Sequence, residues 1–516
     1  MALGRQLVVV FVDFSKAFDM MNRNILFYKL IKSGLHGKVI NTLRDLYMKT
    51  YFRVKHKGKL SSRILQEIGV NQGGNASPTI FRKYMADLDS YLSRHTGICI
   101  SDEEILMHLL WADDLAMAAT ITSDSQKQLD GLSTFCSKNR SIVHEIKTKV
   151  MVIGNYIELN LHFNNQPLGQ VVEYKYVGNF ISSINRPLGD MFNKNYSYLC
   201  NKARQAVYSL QRKTRDIGPL PPKCMFHMFE SLIQPILTYG SDIWGVNATG
   251  RECVDKVLLW YLRLVLGVKA TTSSVITLGE CGIIPPGVIC KVNAILYVER
   301  LKGLPESSIV KTVFKEQQRL HELGFRTWYG KVCDLARSYG INLESHNTKK
   351  FVKTTLLNSF KETWQSELQD INKNPILRTY NMLKWEYKPE PYMYLVKSQK
   401  YRNALTKIRA SSHILEIERG RYTRPKTPIS ERLCPQCQVV DDEHHFLTSC
   451  KSIADERSVL YTKISACHNG FMSMDEQEKF IFLLSNNDAQ ILTWTGKFIY
   501  NGFQKRFLTI SSSNAS

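Results

Sequence analysis

The sequence of 516 residues has no apolar run long enough to cross a bilayer. Leu7–Val12 is as long as any, where a spanning helix needs about 20 residues. Arg5 before that run gives it the look of a weak signal peptide, but Asp13 ends it and no small-residue cleavage site follows. Secretion and membrane insertion are therefore not expected, and the expected location is nucleus and cytoplasm. Internal repeats and low-complexity tracts are absent, which excludes solenoid and collagen-like chains. Acidic residues are in short supply: 46 Asp and Glu face 68 Lys and Arg, a net charge of +22. Such an excess favours a polyanionic partner, nucleic acid before membrane surface. A disulfide framework is lacking too. Of the 12 cysteines, Cys99, Cys136, Cys200, Cys224, Cys253, Cys281, Cys290, Cys333 and Cys467 are scattered, as in a reducing compartment.

What remains is an ordinary globular composition, 44% hydrophobic and 22% charged, with length for about three domains. Leu7–Val12 is continuous and β-branched, the pattern of a strand buried on both faces. Asn22 can cap a helix that Gly34 stops, and residues 37–49 read as a second helix. Tyr51–His56 and Ser61–Val70 flank Lys57-Gly58 as a hairpin, and Pro78 can open a helix running to about Arg94. Strands are expected near 105–112, 115–120, 150–153, 157–163 and 171–181, with a helix near 125–138. Beyond residue 186 helical patterns dominate. Lys202–Lys223 holds six basic residues against one acid, and residues 397–432 hold ten against three. Arg402–Arg419 reads as one basic helix with Gly420 as its C-cap.

Asp13 ends the first strand, and Asp113-Asp114 occupies a tight turn between two apolar strands. Aspartate pairs are commonplace in turns, but side-by-side strands would bring these three carboxylates together. Clustered carboxylates repel, and a divalent cation relieves the repulsion. Mg²⁺ prefers oxygen ligands and keeps positions open for phosphates. Two such ions can clamp the attacking and leaving oxygens of a phosphoryl transfer.

Farther along, Cys434-Pro-Gln-Cys437, His445 and Cys450 have the spacing C-x2-C-x7-H-x4-C. Three thiolates and an imidazole make a closed tetrahedral site that favours one structural Zn²⁺. His444 competes with His445 for the fourth position.

Several segments now form a pattern. Val12-Asp-Phe-Ser-Lys-Ala-Phe-Asp19 resembles the first palm motif of reverse transcriptases of non-LTR (LINE-like, jockey-like) retrotransposons. Gly69-Val-Asn-Gln-Gly-Gly-Asn-Ala-Ser-Pro78 resembles the second and Trp111-Ala-Asp-Asp114 the third, where Trp111 replaces the usual Tyr or Phe. Lys147-Thr-Lys149 and Tyr174-Lys-Tyr-Val-Gly178 resemble the fourth and fifth.

The resemblance implies RNA-directed DNA polymerisation by two-metal nucleotidyl transfer from a deoxynucleotide to a primer 3′-hydroxyl. Asp13 and Asp113 would ligate two Mg²⁺, with Asp114 in the same acidic motif. Phe18 would exclude a 2′-hydroxyl, Gln72 would contact nucleotide or template, and Gly73 and Gly74 would admit close backbone approach. Lys147, or Lys149 in its place, would sit near the departing pyrophosphate.

The implied partners are an RNA template, a DNA primer or target, and deoxynucleotides, with no membrane. Non-LTR elements also carry a C-terminal Cys/His cluster. It follows segments like Leu405–His413 and Glu418–Tyr422, and Glu443, His445 and Phe446 match its E-x-H-F. A zinc module beside a basic helix suits RNA or DNA binding.

The expected fold is an α/β palm, an antiparallel sheet with packed helices, over residues 1–186. A helical thumb-like region (187–300), a helical linker (301–400) and the basic helix with the zinc module (401–516) follow. Only twelve residues precede Asp13, where the family has a fingers region, so an N-terminally truncated element is expected. His144 stands where the family often has Asn. The rival readings are an inactive nucleic-acid-binding remnant and a structural or regulatory relative of the palm.

Overall fold

The computed structural model describes residues 6–71, 73–101, 104–154, 157–183, 191–371 and 374–513. Gln72 lies outside them. The chain divides into two compact units, Met1–Asn195 with Val298–Asp334, and Tyr196–Tyr297 with Leu335–Ser516.

The first unit is built on a five-stranded sheet with Leu7–Asp13 at its centre. Lys149–Ile153 and Asp114–Ala119 flank that strand antiparallel, His108–Trp111 pairs beyond the latter, and Gly169–Gln170 pairs parallel at the opposite edge. Val8, Val10 and Val12 enter a core under the helices Arg23–Lys32, Ser77–Met85 and Thr122–Asn139. Val9 and Phe11 enter a second core on the other face, against Tyr174, Tyr176 and Ile181. Burial on both faces is the physical reason this strand is apolar without alternation. The Asn22 side chain accepts from the Ile25 N–H at 3.1 Å, which sets where the first helix starts.

Several expected elements are shorter. The helix opened by Pro78 stops at Met85, and two 3₁₀ turns, Leu88–Tyr91 and Arg94–Thr96, carry the chain on. The strand expected at 157–163 is only His162–Phe163, pairing with Gln166–Pro167 across Asn164-Asn165. Both asparagines have positive φ, the requirement of a two-residue hairpin turn. The strand expected at 171–181 is itself a hairpin. Glu173–Tyr176 pairs with Asn179–Ser182, and Val177 (φ +43°) and Gly178 (φ +82°) make the turn.

The second unit is helical. Ala248–Leu266 shows the pattern, with Val254, Val257, Leu258, Tyr261, Leu262 and Val265 buried at helical spacing. No single helix among the described residues is long and apolar enough to cross a membrane.

The basic helix expected at 402–419 is a correction in two respects. It ends at Arg409, and a separate turn, Glu416–Arg419, follows Ser411 at positive φ. Gly420 is right-handed (φ −63°) and is no left-handed cap. A Cβ there would lie 2.7 Å from the Arg432 side chain, so close packing explains the glycine. The helix is also a buried strut. Arg409 is fully enclosed, holding Glu280 Oε1 at 2.9 Å, Glu390 Oε2 at 2.6 Å and the Leu484 carbonyl at 2.6 Å. Arg402 is buried as well, donating to the Val396 carbonyl at 2.8 Å. Arginine's fixed fork of donors suits such enclosed pairing.

Candidate active site and metal centre

Asp13 and Asp114 stand directly opposite each other in antiparallel register, and Trp111 pairs with Asp114 on the next strand. Opposite residues present their side chains on one face of a sheet, so both carboxylates leave the same side. Between Trp111 and Asp114 the chain reverses in two residues. Ala112 takes a positive φ of +54°, leaving Asp113 at the tip, half-buried. Partial desolvation raises the Asp114 pKa first, and the like charges of Asp113 and Asp13 raise it further.

The backbone of Asp13 is fixed from the neighbouring loop. Its N–H donates to Thr148 Oγ1 at 3.2 Å, and its carbonyl accepts from the His144 N–H at 2.7 Å. Position 144 acts here through its backbone, so His in place of Asn leaves the contact intact. Lys147 Nζ lies 3.5 Å from Asp13 Oδ2. Lys149 instead sits inside its strand opposite Phe11, with its amine against Gly169. The geometry thus separates two lysines that the sequence left as alternatives.

The Phe18 ring leans on Phe81 at 4.8 Å between centroids. Its carbonyl accepts from the Val70 N–H at 2.9 Å, and the Gly69 N–H donates to the Met21 carbonyl at 2.8 Å. The segment after Asp13 is thereby stitched to the loop that carries the second motif. Gly69 (φ +78°) is obligatory at this seam, because a Cβ would lie 2.3 Å from the Asp19 carbonyl oxygen. Gly73 has φ +82° with open space beside it. Arg23, which sequence reasoning passed over, is buried and donates to the Gly69 carbonyl at 2.8 Å and to the carbonyls of Tyr47 and Gln66. Nothing in its local sequence marks it.

On the face of the sheet that bears the Asp13 and Asp114 carboxylates, Tyr174 stacks on Phe11 at 4.1 Å. Tyr176 Oη donates toward the Leu109 and Asp114 carbonyls at 3.3 and 3.5 Å. Burial, then the charge of Asp114, pushes the Tyr176 hydroxyl up to about 12, so it stays a donor.

Residues 2–181 match the family described as reverse transcriptase (RNA-dependent DNA polymerase). They form a reverse transcriptase domain. The RNA-directed DNA polymerase from the mobile element jockey of Drosophila melanogaster is 23% identical over 275 residues, covering 50% of this chain and 29% of that protein. The jockey polymerase of Drosophila funebris is 24% identical over 308 residues, covering 58% of this chain and 32% of its own. A transposon-derived protein of Caenorhabditis elegans is 26% identical over 170 residues, 32% of this chain and 58% of its own length. The chain thus spans about a third of the jockey polymerases it matches.

Outside the reverse transcriptase domain, Cys434, Cys437, His445 and Cys450 come together, with one ligand atom of each within 4.8 Å of all the others. His445 Nε2 is buried with no hydrogen-bond partner, while Nδ1 is 3.3 Å from Ser449 Oγ. That leaves Nε2 as the atom facing the sulfurs. His444 leans on Phe480 instead, which resolves the choice between the two histidines.

Neighbouring groups hydrogen-bond the sulfurs of the cluster, as the surroundings of metal ligands do. Arg506 donates to Cys434 Sγ at 3.0 Å, Cys450 Sγ at 3.1 Å and Asp441 Oδ1 at 2.9 Å. The Lys451 N–H reaches Cys437 Sγ at 3.3 Å. Glu443 takes Ser411 Oγ at 2.7 Å, His413 Nε2 at 2.9 Å and Arg378 at 3.0 Å. The Leu405–His413 segment is therefore pinned to the E-x-H-F segment.

Proposed function

We propose that this chain is an RNA-directed DNA polymerase, extending a DNA primer on an RNA template with deoxynucleotides. The observation that carries this reading is the Asp13–Asp114 register pair, with Asp113 at the adjoining turn. These are hard oxygen donors on one exposed edge, and the Asp114 pKa is raised first by partial desolvation and then by the like charges of Asp113 and Asp13. The donor set fits Mg²⁺, with Asp13 and Asp113 as the residues that would hold two ions. Such ions, when bound, supply charge neutralisation at the attacking and leaving oxygens.

The remaining assignments concern the chain's own groups. Lys147, extended over Asp13, neutralises charge on the departing pyrophosphate. Phe18, braced by Phe81, closes the space a 2′-hydroxyl needs, so deoxynucleotides are selected. Gly73 admits backbone to the nucleotide, and Gln72 contacts it or the template. The hairpin Glu173–Ser182, on the same face of the sheet as the Asp13 and Asp114 carboxylates, holds the primer end. Residues 187–300 serve as thumb and 301–400 as linker. Residues 401–516 carry a structural zinc module, and nucleus and cytoplasm are the sites of action.

Primer extension on a primed RNA template with Mg²⁺, beside Asp113→Asn and Asp114→Asn variants, tests the reading. Extension is expected from the parent chain and lost in both variants. Extension that survives both substitutions overturns the site. Absence of extension from the folded parent chain overturns the activity and leaves a binding remnant.

A further inference from the structure

The helix that carries much of the basic charge in 397–432 spends its arginines inside the protein. Arg402 and Arg409 are buried on protein acceptors, and Lys400 lies over the Tyr401 and Tyr500 rings. Arg432 is buried as well, donating to the Ile417 carbonyl at 2.7 Å and the Thr427 carbonyl at 2.9 Å. Among the cations left for a partner are two on the loop between Gly420 and Pro428. Arg419 and Arg421 at its entry are paired with Glu416 and Glu418. Arg424 and Lys426 are exposed and have no ion pair among the described residues. Tyr422 is 59% exposed, and Lys269 Nζ stands 5.6 Å over its ring.

This loop is stitched shut. The Thr427 N–H donates to the Gly420 carbonyl at 3.1 Å and to Thr423 Oγ1 at 2.9 Å, and the two threonine hydroxyls are 2.8 Å apart. Immediately after it, Leu433 bridges to Val440 around the metal-ligand pair Cys434 and Cys437. An ordered loop presents its side chains without a large ordering cost on binding. A solvent-facing aromatic ring with one cation over it and two more exposed on its own loop is a platform for one unpaired base, with phosphates on the cations. A duplex offers the same phosphates but no free base face.

We propose that Tyr422, Arg424, Lys426 and Lys269 form a single-stranded nucleic-acid site on the second unit, separate from the polymerase site. Tyr422 stacks on a base, and the three cations take the flanking phosphates. The test uses the full chain and needs neither primer nor deoxynucleotide, so it stands apart from the polymerase reading. Fluorescence anisotropy would follow binding of labelled oligo(U), oligo(dT) and a blunt duplex over a range of potassium chloride.

Tyr422→Ala is expected to weaken binding of single strands about 5- to 150-fold and to leave the duplex nearly unchanged. The double variant Arg424→Gln, Lys426→Gln is expected to flatten the single-strand salt slope by about 1.4, near 0.7 per phosphate released. A loss shared by the two oligomers supports a site that reads ring and phosphate alone. A loss confined to oligo(U) supports the site and names RNA as its ligand. Unchanged single-strand affinity in Tyr422→Ala, with unchanged circular dichroism, overturns the proposal, as does an equal loss on the duplex.

Discussion

At the end of the strand Leu7–Asp13, three aspartates stand partly in solvent with one lysine 3.5 Å away. Around Cys434, four ligand atoms lie within 4.8 Å of one another, walled in by Arg506, Asp441 and a backbone N–H. The contrast follows from what each donor tolerates. A thiolate set with an outer ring of donors suits a soft ion held for good. Carboxylates that must exchange substrate phosphates need water, because burial protonates them. Asp255 in the second unit shows that cost. It is half-buried and accepts the Gly287 N–H at 2.7 Å, and desolvation pushes its carboxyl up to about 6 despite that bond and the nearby Lys291 and Arg251.

The largest test of this contrast is metal removal. Chelation of the ion proposed for the Cys/His cluster should forfeit binding free energy of about 10 kcal/mol that supports folding. Loss of helical circular dichroism and of hydrogen-exchange protection around 399–513 would register it. An unchanged melting curve after chelation would end the closed-site half of the comparison.

Next in size, Asp113→Asn should lower primer extension at least ~10³-fold, about 4 kcal/mol in barrier. Its melting temperature should hardly move, because the side chain sits at a turn tip. A variant that loses stability along with activity would make this aspartate a structural group.

Third is Asp255→Asn. The folded pKa exceeds the unfolded one, so the native state binds more protons between about pH 4 and 6. Stability contributed by that protonation is therefore lost as pH rises through the window. The variant should be more stable by up to ~3 kcal/mol at pH 7 and no different near pH 3. Urea titrations at both pH values check this, and a gain that persists at the lower pH would point away from charge burial.

The smallest effect is expected from Arg506→Gln, about 10- to 100-fold in metal affinity. Competition with a chromophoric chelator measures it. Arg506→Lys should recover part of the loss, and identical affinities would reduce Arg506 to a packing residue.

What the sequence made legible was local. The run Leu7–Val12 announced a strand buried on both faces, and the Cys/His spacing announced its cluster. The acidic turn was legible because motif order supplied the partner strand for Asp13. Distant pairing stayed hidden. Arg506 lies 72 residues from Cys434, and Arg409 lies 129 from Glu280. Basic residues at 402 and 409 read as surface charge because a lone sequence cannot show the buried carboxylates that receive them. The segment 171–181 read as one strand because Val177 favours strands, and only the backbone shows it at positive φ.

The register of the central strand has a genetic consequence. Side chains alternate strictly between the two cores, so one in-frame codon gained or lost between Leu7 and Val12 would swap the faces of every residue on one side of the change. Composition would barely change, yet either Asp13 would no longer stand opposite Asp114 or the residues before the change would leave the cores they now fill. Copies drifting under mutation should therefore tolerate apolar exchanges along this strand far better than single-codon length changes.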